Sequence, residues 1–179
     1  MRGFVGGRGR ARALVSWSFV GCLSGGLGAS ADASDFGRVS RPMPRPTLED
    51  RTPDLKRARE RARERLGDPR CLAVLADFES VNGGRLDLVL RSTGRTAQEQ
   101  IDLLVLESGL GRAGCGQGQL AFTRVGSPVV SVCLRSFTLL RPVKREAVLI
   151  HEMLHSLGLG ENPPESVTIT RQVLKRCAR

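Results

Sequence analysis

The stretch VKREAVLIHEMLHSLGLGENPPES, residues 143–166, decides how this chain is interpreted. Its first part predicts a helix from about Val143 to Leu157. At 100° per residue, His151 and His155 lie one turn apart on the same face of that helix. The opposite side carries apolar side chains that can anchor the helix to a core, namely Leu149, Ile150, Met153 and Leu157. The helix is therefore expected to present two imidazoles on one face and to pack by the other.

His151 and His155 are the two histidines of the chain, and they form an HExxH sequence. Imidazoles at this spacing can bind one zinc ion at about 2.0–2.1 Å. Glu152 projects about 60° from His155 around the helix, so it can reach a water molecule at the metal without binding the metal itself. A shuffled sequence of this composition gives such a motif about once in a thousand trials or fewer. The alternative is a pair of histidines with structural roles only.

A third ligand is expected beyond the helix, because catalytic zinc is normally held by three protein ligands. Gly158 can adopt the left-handed conformation that turns the chain sharply. Glu161 follows three residues later, and carboxylate oxygens bind zinc at about 2.0–2.2 Å. We therefore predict that Glu161 completes the site, with Glu165 as the alternative third ligand.

The string HExxHxxGxxE, residues 151–161, resembles the motif of the metzincin group of zincin metallopeptidases, HExxHxxGxxH or, in some members, with Asp at the last position. The resemblance implies that the metal ligands are His151, His155 and Glu161. It implies that Glu152 is the catalytic general base. The chain departs from the group because no methionine follows the motif to form a methionine turn, and because it has no tyrosine.

The fold expected from this resemblance is a small, single-domain α+β fold of the zincin type, with an active-site helix, a β-hairpin and two disulfides. The hairpin is predicted from strands at Gln119–Arg124 and Val129–Phe137, joined by a Gly-Ser-Pro turn. Residues 103–106 either end a helix or form a further strand. An extended substrate would lie beside the edge strand of the hairpin.

The chain divides into four segments. Residues 1–31 have the arginine-rich start, apolar stretch and small-residue cleavage site of a signal peptide. Residues 32–53 are a proline-rich linker, residues 54–67 a charged helix with a narrow apolar stripe, and residues 68–179 the zincin-like catalytic domain. Within that domain, further helices are expected at 71–79 and at about Val167 to Cys177.

Cys22 offers a second interpretation of the amino-terminal segment. It ends the sequence Phe-Val-Gly-Cys, which is similar to a bacterial lipoprotein box. Simple secretion is the favoured prediction, and a membrane contact is expected only if Cys22 is lipidated. The protein is therefore expected outside the cell, or in the bacterial periplasm or cell envelope.

Four cysteines remain beyond the signal segment, an even number without a CxxC pair. In an oxidising compartment they predict two disulfides, which can be connected in three ways. The favoured pairs are Cys115–Cys133, which closes a glycine-rich loop, and Cys71–Cys177, which ties the end of the chain to the start of the domain. The alternatives are free thiols or a four-cysteine metal site.

The composition excludes several classes of protein. Apolar residues make up 40% of the chain, which is typical of a globular protein and excludes a collagen-like or wholly disordered one. The net charge is +10, from 28 basic and 18 acidic residues. Because 25 of the basic residues are arginine, this bias is weak evidence for an anionic partner. No aromatic side chains interleave the charged helix for base stacking, so no nucleic-acid partner is expected.

The sequence therefore predicts an exported, monomeric, zinc-dependent hydrolase that acts on a peptide or protein substrate, a metallopeptidase in particular. Two alternatives stay open. One is an exported, disulfide-stabilised binding domain with a non-catalytic HExxH. The other is a zinc hydrolase of non-peptide substrates.

Overall fold

The computed structural model describes residues 46–116 and 118–178. The predicted signal peptide, the Cys22 lipid site and most of the predicted linker lie outside these residues. The helices are α1 (Pro53–Leu66), α2 (Pro69–Leu72), α3 (Leu86–Ser92), α4 (Ala97–Asp102), α5 (Ala113–Gly116), α6 (Leu134–Phe137), α7 (Pro142–Ser156) and α8 (Ser166–Cys177). A 3₁₀ helix, Ala73–Asp77, follows α2, and the strands are β1 (Val105–Ser108), β2 (Ala121–Thr123) and β3 (Val129–Val132).

Helix α7 is the central element of the core. It begins at Pro142, whose fixed φ suits the first helical position, and its side chains from Glu146 to His155 are all buried. Helices α1, α4 and α8 pack against it. The charged helix α1 contributes the apolar stripe expected from its sequence: Leu55, Ala58, Ala62 and Leu66 are all buried.

A three-stranded sheet of order β1-β3-β2 completes the α+β architecture. Strand β1 pairs with β3 in parallel, and β2 pairs with β3 antiparallel. The predicted hairpin is confirmed, and residues 105–106 belong to a strand rather than to the end of α4. Strand β2 lies at the edge of the sheet and contacts α7, so the sheet edge runs beside the HExxH helix.

Three predicted elements differ from the structure. The first hairpin strand is Ala121–Thr123 rather than Gln119–Arg124. The second hairpin strand ends at Val132 rather than Phe137, because Phe137 N–H donates to the carbonyl of Cys133 at 2.9 Å and begins a helical turn. That turn carries Phe137 into the core, where it is fully buried. The helix predicted at 71–79 is instead the short α2 followed by the 3₁₀ helix, and Glu79 is already extended and bridges Arg85.

Both favoured cysteine pairs are disulfide-bonded. Cys71–Cys177 joins α2 to the last residue of α8, across 106 residues of chain. Cys115–Cys133 joins α5 to the residue that follows β3, across 18 residues. Such bonds are typical of proteins in oxidising compartments, which is consistent with the predicted export. Among the helices described, none is long and apolar enough to cross a membrane.

Candidate metal centre

Three ligand atoms converge at the carboxyl end of α7. The Nε2 atoms of His151 and His155 lie 2.8 Å apart. The Oε1 atom of Glu161 lies 3.6 Å from the first and 3.7 Å from the second. A point equidistant from atoms at these separations lies about 2.0 Å from each, which is the zinc–imidazole distance. The group could therefore hold a metal ion.

A tight turn after α7 brings Glu161 back to the histidines. Gly158 has φ +102°, a conformation that a residue with a Cβ adopts only with strain, and its N–H donates to the carbonyl of His155 at 2.9 Å. Its own carbonyl accepts from the N–H of Val81 at 2.8 Å. A Cβ atom at position 158 would lie 3.2 Å from the Cβ of Ser80. The turn is thus held from both sides, and a glycine fits it best.

The other ring nitrogen of each histidine also has a partner. His155 Nδ1 lies 2.8 Å from the carbonyl oxygen of Leu159, so it donates its proton there. His151 Nδ1 lies 2.9 Å from the hydroxyl of Thr170 on α8. Such second contacts fix the orientation of a metal-binding imidazole. They leave both Nε2 atoms directed toward Glu161.

Helix α7 is also fastened at its carboxyl end. The backbone carbonyl of His155 accepts a hydrogen bond from the N–H of Gly126 at 2.8 Å, in addition to that from Gly158. Gly126 lies in the turn between β2 and β3. The hairpin is therefore bonded directly to a residue of the candidate ligand group.

Glu152 is buried beside the three ligand atoms, with 4% of its surface exposed. Its Oε2 atom has no hydrogen-bond partner among the described residues, although it is buried. Burial, and secondly the charge of Glu161, raise the pKa of Glu152 to about 8. A cation at the centre of the ligands would oppose that rise. An unsatisfied carboxylate of this kind is costly in an apolar interior and suits a site that takes a cation and water.

Burial also shifts the pKa of His151. Desolvation, followed by the neighbouring His155, lowers the pKa of His151 to about 4, and Glu161 acts in the opposite direction. At neutral pH the His151 ring is therefore uncharged. The neutral imidazole is the form that binds metals.

The site opens into a cleft of about 250 Å³. On one side is a surface that we call the helical wall, formed by side chains of α7 and α8: Val148, His151, Glu152, His155, Ser166 and Thr170. On the other side is the strand wall, residues 118–123, which includes β2. Glu161 lies at the rim, with 40% of its side chain exposed.

Comparisons of the chain with protein-family models, with curated proteins and with solved structures give no match. The resemblance to metzincins is therefore confined to the motif at 151–161.

The structure brings together four of the five residues singled out in the sequence. His151, His155 and Glu161 form the ligand group, and Glu152 lines the same cleft. The alternative ligand Glu165 is exposed at the start of α8 and lies outside the group.

Thr170 and Gly126 were not found from the sequence. Both contact a histidine through a single hydrogen bond between distant segments. Neither belongs to a spacing pattern that could have revealed it.

Proposed function

We propose that this protein is an exported zinc-dependent hydrolase, specifically a metallopeptidase of zincin type. The proposal is carried by one observation: three ligand atoms surround a point at zinc–ligand distance, beside a buried carboxylate and inside a cleft. Two imidazoles and one carboxylate are the protein ligands of a known class of catalytic zinc sites.

His151, His155 and Glu161 would hold the zinc ion, which would supply a Lewis acid that polarises a carbonyl group and acidifies water. Glu152 accepts a proton from the attacking water and returns it to the leaving amine. The donation from His155 Nδ1 to the carbonyl of Leu159 keeps the other nitrogen of that ring free for the metal.

A peptide substrate is favoured by the position of β2. Among the described residues this strand is paired with β3 on one side only, and its residues line the cleft. An extended peptide can bond to such an edge as an additional strand, which would carry a peptide bond past the helical wall. A monomer suffices for this arrangement, because one chain supplies the ligand group, Glu152 and the strand edge.

Export is supported by the two disulfides, which persist in oxidising compartments. We propose secretion, or residence in a bacterial periplasm or cell envelope, with membrane attachment if Cys22 is lipidated.

Metal analysis of the purified mature protein, combined with a general peptidase assay, tests the proposal. We expect one zinc per chain and peptide hydrolysis that a chelator abolishes and added zinc restores. A protein that binds no zinc would overturn the metal centre and the enzyme together. A protein that binds zinc but cleaves no peptide would overturn the peptidase and leave the non-peptide hydrolase or the binding domain.

Substitutions separate the role of Glu152 from that of the ligands. Glu152→Gln keeps the shape of the side chain but cannot accept the proton, so zinc should stay bound while hydrolysis falls about 10²–10⁴-fold. His155→Ala should abolish zinc binding, and Glu161→Ala should weaken it strongly. Glu165→Ala is the matched control and should bind zinc like the wild type. Unchanged zinc affinity in Glu161→Ala would remove Glu161 from the ligand set.

A further inference from the structure

The two histidines differ in the partner of the nitrogen that faces away from the metal. His155 Nδ1 faces the carbonyl oxygen of Leu159 at 2.8 Å, and a carbonyl can only accept a hydrogen bond. His151 Nδ1 faces the hydroxyl of Thr170 at 2.9 Å, and a hydroxyl can donate or accept. His155 is therefore restricted to the tautomer with its proton on Nδ1, whereas His151 can adopt either tautomer.

The short distance between the two Nε2 atoms makes this difference important. A separation of 2.8 Å between them is stable when a proton or a cation lies between the two lone pairs. His155 Nε2 offers a lone pair in both cases, because its proton is held on Nδ1. Without a cation, the proton between the two nitrogens must be the one bound to His151 Nε2. When a cation binds, His151 Nε2 must lose that proton so that its lone pair can face the cation.

The change in His151 is a change of tautomer within one imidazole ring. His151 is neutral before and after, with the N–H bond lost at Nε2 and gained at Nδ1, so no net proton is released. In the first state the Thr170 hydroxyl donates to Nδ1, and in the second it accepts from Nδ1–H. The same 2.9 Å contact serves both states by rotation of one hydroxyl hydrogen.

We infer that Thr170 is a positioning residue for His151, whose hydroxyl holds the imidazole in place while its proton moves from Nε2 to Nδ1 as a metal ion binds. The inference rests on the metal centre proposed above. It assigns unequal tasks to the ligands: His155 is preset for the metal, and His151 adjusts to it.

Helix α8 is fixed well enough to hold a hydroxyl in position. Its last residue is tied to α2 by Cys71–Cys177. The carboxylate of Asp77 accepts a hydrogen bond from Gln172 at 2.6 Å and two from Arg176 at 2.8 and 2.7 Å. These bonds fasten the half of α8 that follows Thr170, and they limit rotation of the helix about its axis.

Zinc affinity measured by competition with a chromophoric chelator tests the role of the hydroxyl. Thr170→Val removes it while keeping the branched shape, and we expect zinc affinity to fall about 10–100-fold, as for other groups that orient metal ligands. Thr170→Ser restores a hydroxyl and should recover most of that affinity. Thr168→Val is the same substitution at an exposed position of the same helix and should leave affinity unchanged.

Nitrogen-15 NMR of the imidazoles in the wild-type protein tests the tautomers, and it requires no variant to fold. We expect His155 to keep its proton on Nδ1 with and without zinc, and His151 to change from Nε2–H to Nδ1–H when zinc is added. A His151 already protonated on Nδ1 before zinc is added, or wild-type affinity in Thr170→Val, would overturn this inference alone. Absence of zinc binding by the wild type would overturn the proposed function as well.

Discussion

The two walls of the cleft are built in opposite ways. In the helical wall, His151, Glu152 and His155 are only 4–5% exposed, and both imidazoles are oriented by further contacts. In the strand wall, residues 118–123, no residue is fully buried and none carries a charge. One wall holds ionisable side chains in fixed positions, and the other offers backbone and neutral side chains.

For the metallopeptidase proposed above, this contrast implies a division of tasks. Metal binding and proton transfer need groups held within narrow tolerances, which burial and hydrogen bonds provide. Peptide binding along a strand edge needs backbone groups with access to solvent. Changes to the helical wall or its anchors should therefore alter zinc affinity and stability, whereas changes to the strand wall should alter KM.

Removal of a disulfide is expected to have the largest effect on stability. Each of the two disulfides anchors one wall of the cleft. In the chain-entropy account, removing a disulfide that closes a loop of 106 residues lowers the free energy of unfolding by about 5 kcal/mol. Removing one that closes a loop of 18 residues lowers it by about 3 kcal/mol. Replacement of Cys71 and Cys177 by Ser should thus destabilise the protein more than replacement of Cys115 and Cys133. Urea denaturation of the two double variants measures the difference.

The two double variants should also differ in zinc affinity and in KM. Loss of Cys71–Cys177 frees α8 and should lower zinc affinity through Thr170, whereas loss of Cys115–Cys133 should raise KM and leave zinc affinity unchanged. If both double variants changed zinc affinity and KM alike, the two walls would not be independent.

A smaller effect, on KM, is expected from a substitution of Gly114 in α5, which packs behind the strand wall. A Cβ atom there would lie 2.9 Å from Cε1 of Phe122 and would also overlap the side chain of Gln119. Both side chains line the cleft, so Gly114→Ala should displace them and raise KM for a peptide about fivefold, equivalent to about 1 kcal/mol. Zinc affinity should not change.

Gly116→Ala is the control for that substitution. It lies in the same short helix, and a Cβ atom there would have no neighbour within 4 Å in the part of the chain that the structure describes. Steady-state kinetics and zinc titration of both variants suffice for the comparison. Equal KM values in the two variants would show that Gly114 does not shape the cleft.

The smallest effect concerns Asp77, which anchors α8. Hydrogen bonds from Arg176 lower the pKa of Asp77, with a further contribution from Gln172. Because the folded protein holds Asp77 ionised more firmly than the unfolded chain does, the stabilisation is complete above the unfolded pKa and is lost as pH falls through the lower folded-state value. Asp77→Asn should therefore lose less stability than the wild type as pH falls below the ordinary range of an aspartate pKa. Identical pH profiles of the urea midpoint would contradict this.

The motif at 151–161 could be predicted because its two histidines share a helix face and Glu161 lies only six residues beyond the second of them. The disulfides followed from an even number of cysteines and the compartment. The limit of the second hairpin strand could not be predicted in the same way. The segment from Leu134 to Phe137 directly continues the apolar strand and is too short for its apolar spacing to distinguish a strand from a helical turn, and burial of Phe137 decides between them.

The contacts that hold the two histidines in place could not be predicted, for a different reason. Thr170 is an ordinary residue of a helix, and Gly126 an ordinary residue of a turn. Each acquires its role only when two distant segments approach to within hydrogen-bond distance. A hydrogen bond between distant segments produces no periodic pattern or residue spacing that could be recognised in the sequence.

The Cys115–Cys133 bond has a consequence for resistance to proteolysis. It encloses β2, the exposed turn that follows it and β3 in one covalent ring. A cut in that turn, where Val125 is 45% exposed, would open the backbone without releasing a fragment. The two ends would remain joined through the sulfur atoms and through the strand pairing, so a nicked molecule could keep both sides of its cleft.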